Sequence, residues 1–295
     1  MKKNFSLLFL LIISISLLGC SKTTTDPINK TIKVTPPPVV EPIKPVELAE
    51  PVGTASIPAF DKTAVMKASG KSVPVLMYHS IAYEKDNDIR LPVERFEEHM
   101  KYLKDNGYYP ITLTDLYEYL MKDTPIPEKS IVLTFDDGYE DNYTAMFPVL
   151  KKYGFKATIF VITSNIDKDP KSMTSQQLLE MEKFGVDIES HTVNHEHLKE
   201  LSKDKQLETL GQSKKDLEKI LNKQINFLAY PYGEYNKSAL EAAKEVGYTM
   251  AFSTDGRWSS KKNGMLSLDR VYIGSSHNMK VFIERITNPN YKFVN

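Results

Sequence analysis

"SIVLTFDDGYEDN", residues 130–142, is a strand that ends in a charge problem. Ile131 to Phe135 are strand-forming residues with no charge among them. Asp136 and Asp137 then stand side by side, with Gly138 after them. Adjacent carboxylates repel each other, and each is costly to bury without a partner. A buried strand with this ending needs partners brought in from elsewhere in the chain. Gly138 permits the sharp turn that follows.

Outward from this strand, strand-like and helix-like stretches alternate. "VPVLMYHSI" (73–81) reads as a strand and "VERFEEHMKYLKDNG" (93–107) as a helix, with Phe96, Met100 and Leu103 at helical spacing and Gly107 as its stop. "YYPIT" reads as a short strand, and "LTDLYEYLMK" as a helix with Thr114 as its N-cap. After the 130–135 strand come a helix ending at Gly154, the strand "KATIFVI", a helix closing on Gly185 and the strand "VDIESH". A long charged helix over about 203–221 precedes "NFLAYP", "KSALEAAKEVG", "YTMAFST", "SLDRVYIG" and a final helix "MKVFIERI". This alternation implies an α/β fold of parallel strands with helices outside. Ligands in such folds bind at the C-terminal ends of the strands. His79, Asp136, Asp137, His191 and Tyr232 all fall at those ends, so the topology gathers them on one rim. Each alone fits a capping or satisfied core residue; together they read as a site.

"HTVNH" places His191 and His195 four residues apart. On a helical turn such residues share a face, so both imidazoles can reach one metal. HxxxH by itself equally fits two surface histidines. The Asp pair changes the weighing, because a divalent ion needs charge that neutral histidines do not supply. One aspartate completes a two-His, one-carboxylate set with positions left for water, as in catalytic metal sites. The other stays free to take a proton from water.

"TFDDG", "HTVNH" and "YPYGEYN" resemble, in order, the first three motifs of the polysaccharide deacetylases, the NodB-homology group or carbohydrate esterase family 4. The resemblance covers nearly all of 73–295, and "PVLMYHSI" with "FEEHMKYLKDNGYYPITLTDL" resembles the branch that holds the poly-N-acetylglucosamine deacetylases and many bacterial lipoprotein deacetylases. It implies a distorted (β/α) barrel of about seven parallel strands, and removal of acetyl groups from N-acetylglucosamine-type sugars with a divalent metal, often zinc. It implies Asp136 as general base; Asp137, His191 and His195 as metal ligands; and the Tyr232 backbone N–H as an oxyanion donor. Zinc is the expected ion, although two His and one Asp also suit cobalt, nickel or iron.

Two departures from the family pattern matter. The arginine that many members carry in the third motif is missing, with Ala229 or Tyr230 where it would fall; Arg270 in "LDRVYI" is the substitute expected from another strand. The Leu-x-His motif near the C-terminus that supplies the acid is not visible, since His277 lies in "GSSHNMK". His79 in "MYHS" is the candidate general acid, brought in by a permuted barrel. Tyr139, Pro231 and Trp258 are the expected substrate-binding residues. His99, inside an amphipathic helix, reads as structural or solvent-facing.

The N-terminus, "MKKNFSLLFLLIISISLLGCSK", combines a basic start with an apolar run and the lipobox-like "LLGC". Residues 1–19 read as a lipoprotein signal peptide and Cys20 as the acylated residue, which would anchor the protein to the bacterial membrane outside the cytoplasm. Cys20 is the only cysteine, so no intramolecular disulfide forms and no thiolate serves a metal. Residues 20–72 contain eight of the 17 prolines and read as a linker, with 73–295 as one domain. Lys plus Arg equals Asp plus Glu at 38 each, which argues against nucleic acid as a partner. The partner expected instead is an acetylated aminosugar polysaccharide; oligomeric state is not encoded legibly. The sequence leaves two alternatives to an N-deacetylase: an O-acetyl esterase with the same apparatus, and a non-catalytic glycan-binding lipoprotein.

Overall fold

A computed structural model describes residues 64–292. The signal-peptide reading, Cys20 and the linker up to residue 63 lie outside the described residues. Residues 65–71, read from composition as the end of the linker, lie on the domain. Lys67 N–H donates to the Ile126 carbonyl at 2.8 Å, and the Tyr119 hydroxyl accepts from Lys71 N–H at 3.0 Å while donating to the Ala68 carbonyl at 2.7 Å. This docking uses main-chain groups, which leave no apolar period in the sequence.

The strands are β1 (Val75–Tyr78), β2 (Tyr109–Pro110), β3 (Ser130–Phe135), β4 (Ala157–Val161), β5 (Val186–Ser190), β6 (Phe227–Ala229), β7 (Met250–Phe252) and β8 (Val271–Tyr272). The helices are α1 (Val93–Asp105), α2 (Leu113–Lys122), α3 (Phe147–Tyr153), α4 (Ser175–Phe184), α5 (Lys203–Leu221), α6 (Lys237–Val246) and α7 (Met279–Thr287). All strand pairs are parallel, in the order β7-β6-β5-β4-β3-β1-β8, with β2 on the foot of β3. Leu268 bridges Phe252 of β7 in parallel, and three residues later Val271 pairs with Leu76 of β1. The segment 268–273 thus joins the two open edges, and the sheet is the expected distorted (β/α) barrel.

Side chains alternate between the two faces of each strand. The outward set, including Leu76, Leu133, Phe135, Ile159, Ile188 and Leu228, packs under the helices. The inward set, including Val75, Val132, Phe160, Phe227, Met250 and Leu268, fills the barrel together with Leu116 and Leu120 of α2. Helix α2 therefore plugs the end where the strands begin. Its N-cap is Thr112, whose hydroxyl accepts from Asp115 N–H in a capping box, rather than Thr114. The 140–154 helix begins with a wide turn over Asn142–Met146, which passes Pro148 at the start of α3 without demanding its missing N–H.

Candidate active site

With one end plugged, the mouth of the barrel is the end where the strands finish. Alternation carries Val132, Thr134 and Asp136 up the inner face of β3, and Glu189 and His191 up that of β5. Leu268 and Arg270 climb the closing segment the same way. Arg270 is fully buried, lies 5.4 Å over the Phe160 ring and grips Asp136 with two parallel hydrogen bonds, Nη1 to Oδ1 and Nη2 to Oδ2, both 2.7 Å. Its Nε donates to the Ser253 carbonyl at 3.1 Å and its Nη1 also to Thr134 Oγ1 at 3.2 Å. Burial works to raise the Asp136 pKa, but the Arg270 charge outweighs it and holds the carboxyl below its ordinary value. Arg270, on the barrel's closing strand, is thus the arginine that meets Asp136 among the described residues.

Asp137 turns the other way. Its φ of 74° and the 75° of Gly138 reverse the chain at the end of β3. A Cβ on Gly138 would come within 2.9 Å of Val161 Cγ1, so glycine is required there. Asp137 Oδ1 lies 3.4 Å from Nε2 of both His191 and His195. His191 Nδ1–H donates to the Ala229 carbonyl at 2.7 Å, which leaves Nε2 as the nitrogen that faces Asp137. His191 and His195 do not reach one point by sharing a helical face, as their spacing suggested. They sit on a turn with left-handed residues at Thr192 (φ 66°) and His195 (φ 57°).

The three ligand atoms lie within 4.8 Å of one another. Asp137 Oδ1 is buried without a hydrogen bond among the described residues, because 3.4 Å is too long for a good one. A buried carboxylate oxygen facing two imidazole nitrogens, with no donor on it, fits a divalent cation. Burial opposes the Asp137 charge, yet the facing His191 and the other histidines hold its carboxyl well below the carboxylate range. Burial lowers the His195 pKa to about 4, in the neutral form that ligation needs.

Three ligand-type side chains gathered beside a clamped carboxylate fit a divalent cation, and the sequence relatives place the chain in a family. A Bacillus subtilis (strain 168) protein named as polysaccharide deacetylase YxkH is 37% identical over 274 residues, covering 92% of this chain and 94% of that protein. The chain belongs to the polysaccharide deacetylase family. The polysaccharide deacetylase profile matches residues 123–251, which include Asp136, Asp137, His191, His195 and Tyr232 but neither His79 nor Arg270. Among solved structures, the Streptococcus pyogenes deacetylase PplD in complex with acetate is 32% identical, with a TM-score of 0.71 over 74% of this chain and 99% of that one. The Escherichia coli (strain K12) poly-beta-1,6-N-acetyl-D-glucosamine N-deacetylase is 26% identical over 231 residues; these cover 64% of this chain and 34% of the relative, so the chain spans about a third of it.

The remaining expected site residues separate into two groups. His79 follows β1 directly, and its ring is in edge contact with Tyr272 at 6.2 Å. Burial lowers its pKa, against the pull of Asp136 and Asp137 nearby. Tyr232 sits in the turn Pro231–Gly233 with left-handed φ 60°, its ring stacked on His197 at 3.9 Å and edge-on to His195 at 4.4 Å. Tyr139 is half-buried against Asp137, with Arg90 5.6 Å over its ring.

Two expected substrate contacts do not hold. Pro231 is buried, closed off by the turn it starts. Trp258 packs on the outer core; its indole N–H donates to the Arg285 carbonyl at 2.8 Å, and its neighbour Ser259 bridges Val73 at the foot of β1, the end opposite the mouth. A tryptophan near a glycan-family motif reads as a stacking residue, but the long loop after β7 returns it to the plugged end. His99 is fully buried, stacked at 3.9 Å on Phe282. Sequence reasoning missed Asp141, which accepts from Ser80 Oγ at 2.6 Å and Ile81 N–H at 2.8 Å and so ties the β1 loop to the Asp pair; its place in "DDGYED" was the available signal.

Proposed function

We propose that this deacetylase is a divalent-metal-dependent hydrolase that removes N-acetyl groups from N-acetylglucosamine-containing cell-envelope polysaccharide, peptidoglycan or poly-N-acetylglucosamine. The observation that carries the reading is the Asp137–His191–His195 cluster beside an Asp136 clamped by Arg270. The Escherichia coli relative, and the Staphylococcus aureus (strain MRSA252) poly-beta-1,6-N-acetyl-D-glucosamine N-deacetylase at 29% identity over 192 residues, support the amide substrate.

Asp137, His191 and His195 would hold the ion, zinc by preference and cobalt, nickel or iron by donor chemistry. A bound divalent ion supplies Lewis-acid polarisation of the acetyl carbonyl. Asp136 takes a proton from the water whose oxygen attacks the carbonyl carbon, and Arg270 fixes the direction of that carboxylate. The Tyr232 backbone N–H donates to the developing oxyanion. His79 protonates the departing nitrogen as the C–N bond breaks, leaving acetate and a free amine. In the same reading residues 1–19 are a signal peptide, a lipid on Cys20 holds the protein at the outer face of the membrane, and residues up to about 64 tether the domain.

The test is acetate release from N-acetylglucosamine oligomers by the detergent-solubilised full chain, with and without chelator, beside Asp136→Asn. Release that requires metal and is lost in the variant is the expected result. Release only from O-acetylated sugars would replace the reading with an esterase, and none from either would leave a glycan-binding protein. Lipidation is checked by palmitate labelling, which Cys20→Ser abolishes.

A further inference from the structure

We infer that Tyr83, in the loop between β1 and α1, is a sugar-stacking residue, and that the substrate chain lies across the barrel mouth between Tyr83 and Tyr232. The inference rests on the deacetylase reading for its substrate class, not for its geometry. Around the barrel the order is β1, β3, β4, β5, β6, β7 and the closing segment. Three strands separate β1 from β6 on one side; β7 and the closing segment separate them on the other. The loops after β1 and β6 therefore face each other across the mouth. The metal ligands, carried after β3 and β5, lie within that span.

Each of these two loops carries a large exposed aromatic. Tyr83 is 76% exposed and Tyr232 51%. Among the described residues the other exposed Phe, Tyr or Trp side chain, Phe184, ends α4 just before the foot of β5, on the plugged side. Single exposed apolar residues are ordinary on protein surfaces. A pair on opposite loops around one catalytic centre is a directional arrangement, and a polymer is the substrate shape that uses both.

The loop holding Tyr83 is built to stand still. Its base is closed by Ser80 N–H to the Ile89 carbonyl at 3.2 Å and Leu91 N–H to the Ser80 carbonyl at 3.0 Å. One flank is tied to Asp141 through Ser80 and Ile81. The other is tied through Asp88, which accepts from Tyr272 Oη at 2.8 Å and Ser276 N–H at 2.6 Å. Across the loop, Arg90 Nε meets Glu84 Oε2 at 2.7 Å. Within this braced frame, the Tyr83 ring has no aromatic partner and its hydroxyl no hydrogen bond among the described residues. A rigid presented ring stacks on a ligand at little entropic cost. Tyr83 is four residues from His79, hence at most about 14 Å away at ~3.5 Å per residue. That bound keeps Tyr83 within reach of the reacting sugar or of its neighbour in the same chain, and the length dependence of binding tells the two apart.

The experiment compares the full chain with Tyr83→Ala and Tyr83→Trp, using N-acetylglucosamine oligomers of one to six units. Both affinity, by calorimetry, and acetate release are measured. Because Tyr83 is 76% exposed and makes no hydrogen bond or ring contact among the described residues, the variants fold as the parent does. The expected result is about fivefold weaker binding and higher KM of the longer oligomers in Tyr83→Ala, ~1 kcal/mol, with kcat and the monomer unchanged. Tyr83→Trp restores the longer oligomers. An equal effect at every length, no effect at any length, or no length dependence in the parent overturns the inference. Length-dependent binding that Tyr83→Ala weakens, with no acetate released by any form, upholds the stacking role and defeats the deacetylase reading alone.

Discussion

The bond pair between Arg270 and Asp136 makes the sharpest test of this site, because both groups are buried and each would be left charged without the other. Asp136 is 2% exposed and Arg270 0%, and they share two hydrogen bonds of 2.7 Å. A charge-assisted hydrogen bond contributes about 1.5–3 kcal/mol. Removing one member of a buried pair costs about 3–5 kcal/mol, because the remaining charge is stranded. Arg270→Met also strips donors from the Ser253 carbonyl and Thr134 Oγ1. Its expected loss is about 4 kcal/mol, with about 2–3 kcal/mol for Asp136→Asn. In the double variant no carboxylate is stranded, so the loss falls short of the sum by about 3 kcal/mol. Urea unfolding followed by far-ultraviolet circular dichroism measures all four forms. Chelator is present throughout, so that ion binding at Asp137 does not enter. A coupling energy below about 0.5 kcal/mol would show the two residues to be independent and refute the clamp.

His195→Ala should lower divalent-ion affinity by at least about a hundredfold in calorimetric titration, with the fold retained by circular dichroism. Gly233→Ala places a Cβ 2.2 Å from Thr254 Oγ1 at a φ of 70°; it should cost about 1–3 kcal/mol in urea and reduce acetate release by displacing Tyr232. Buried His99 has its pKa lowered to about 3, whereas the unfolded chain takes up this proton near 6.5. Stability should therefore fall as pH drops through that window, by about 1.4 kcal/mol per unit, and the slope between pH 7 and 5.5 should be shallower in His99→Gln. Tyr119→Phe removes the hydroxyl that holds Ala68 and Lys71, and should speed proteolytic cleavage within 65–71 at a cost of about 1 kcal/mol.

Much of the candidate site was legible because it sits where periodicity changes. Asp136, Asp137 and His191 end strands whose apolar runs announce them, and alternation of strand and helix is enough to put those ends on one rim. Arg270 was legible only as a candidate: nothing local distinguishes "LDRVYI" from any edge strand. His191 and His195 do come together, both facing Asp137, but not on the helical face that their spacing suggested. Backbone conformation of the left-handed kind at Thr192 and His195 is set by the fold around the turn rather than by those residues' own preference. Trp258 and Pro231 misled because residue type says what a side chain can do, while burial decides whether it meets solvent.

The succession of strands and helices along the chain, the side-chain types at the strand ends and the adjacency of the Asp pair belong to the sequence itself, since they follow from short-range patterning and covalent neighbours. Closure of the barrel belongs to the tertiary structure. It brings Arg270 onto Asp136 across 134 residues of chain, plugs one end with α2 and sets Tyr83 opposite Tyr232. Those relations depend on which strand edges meet, and edge pairing is decided by packing over the whole core rather than by any local stretch of residues.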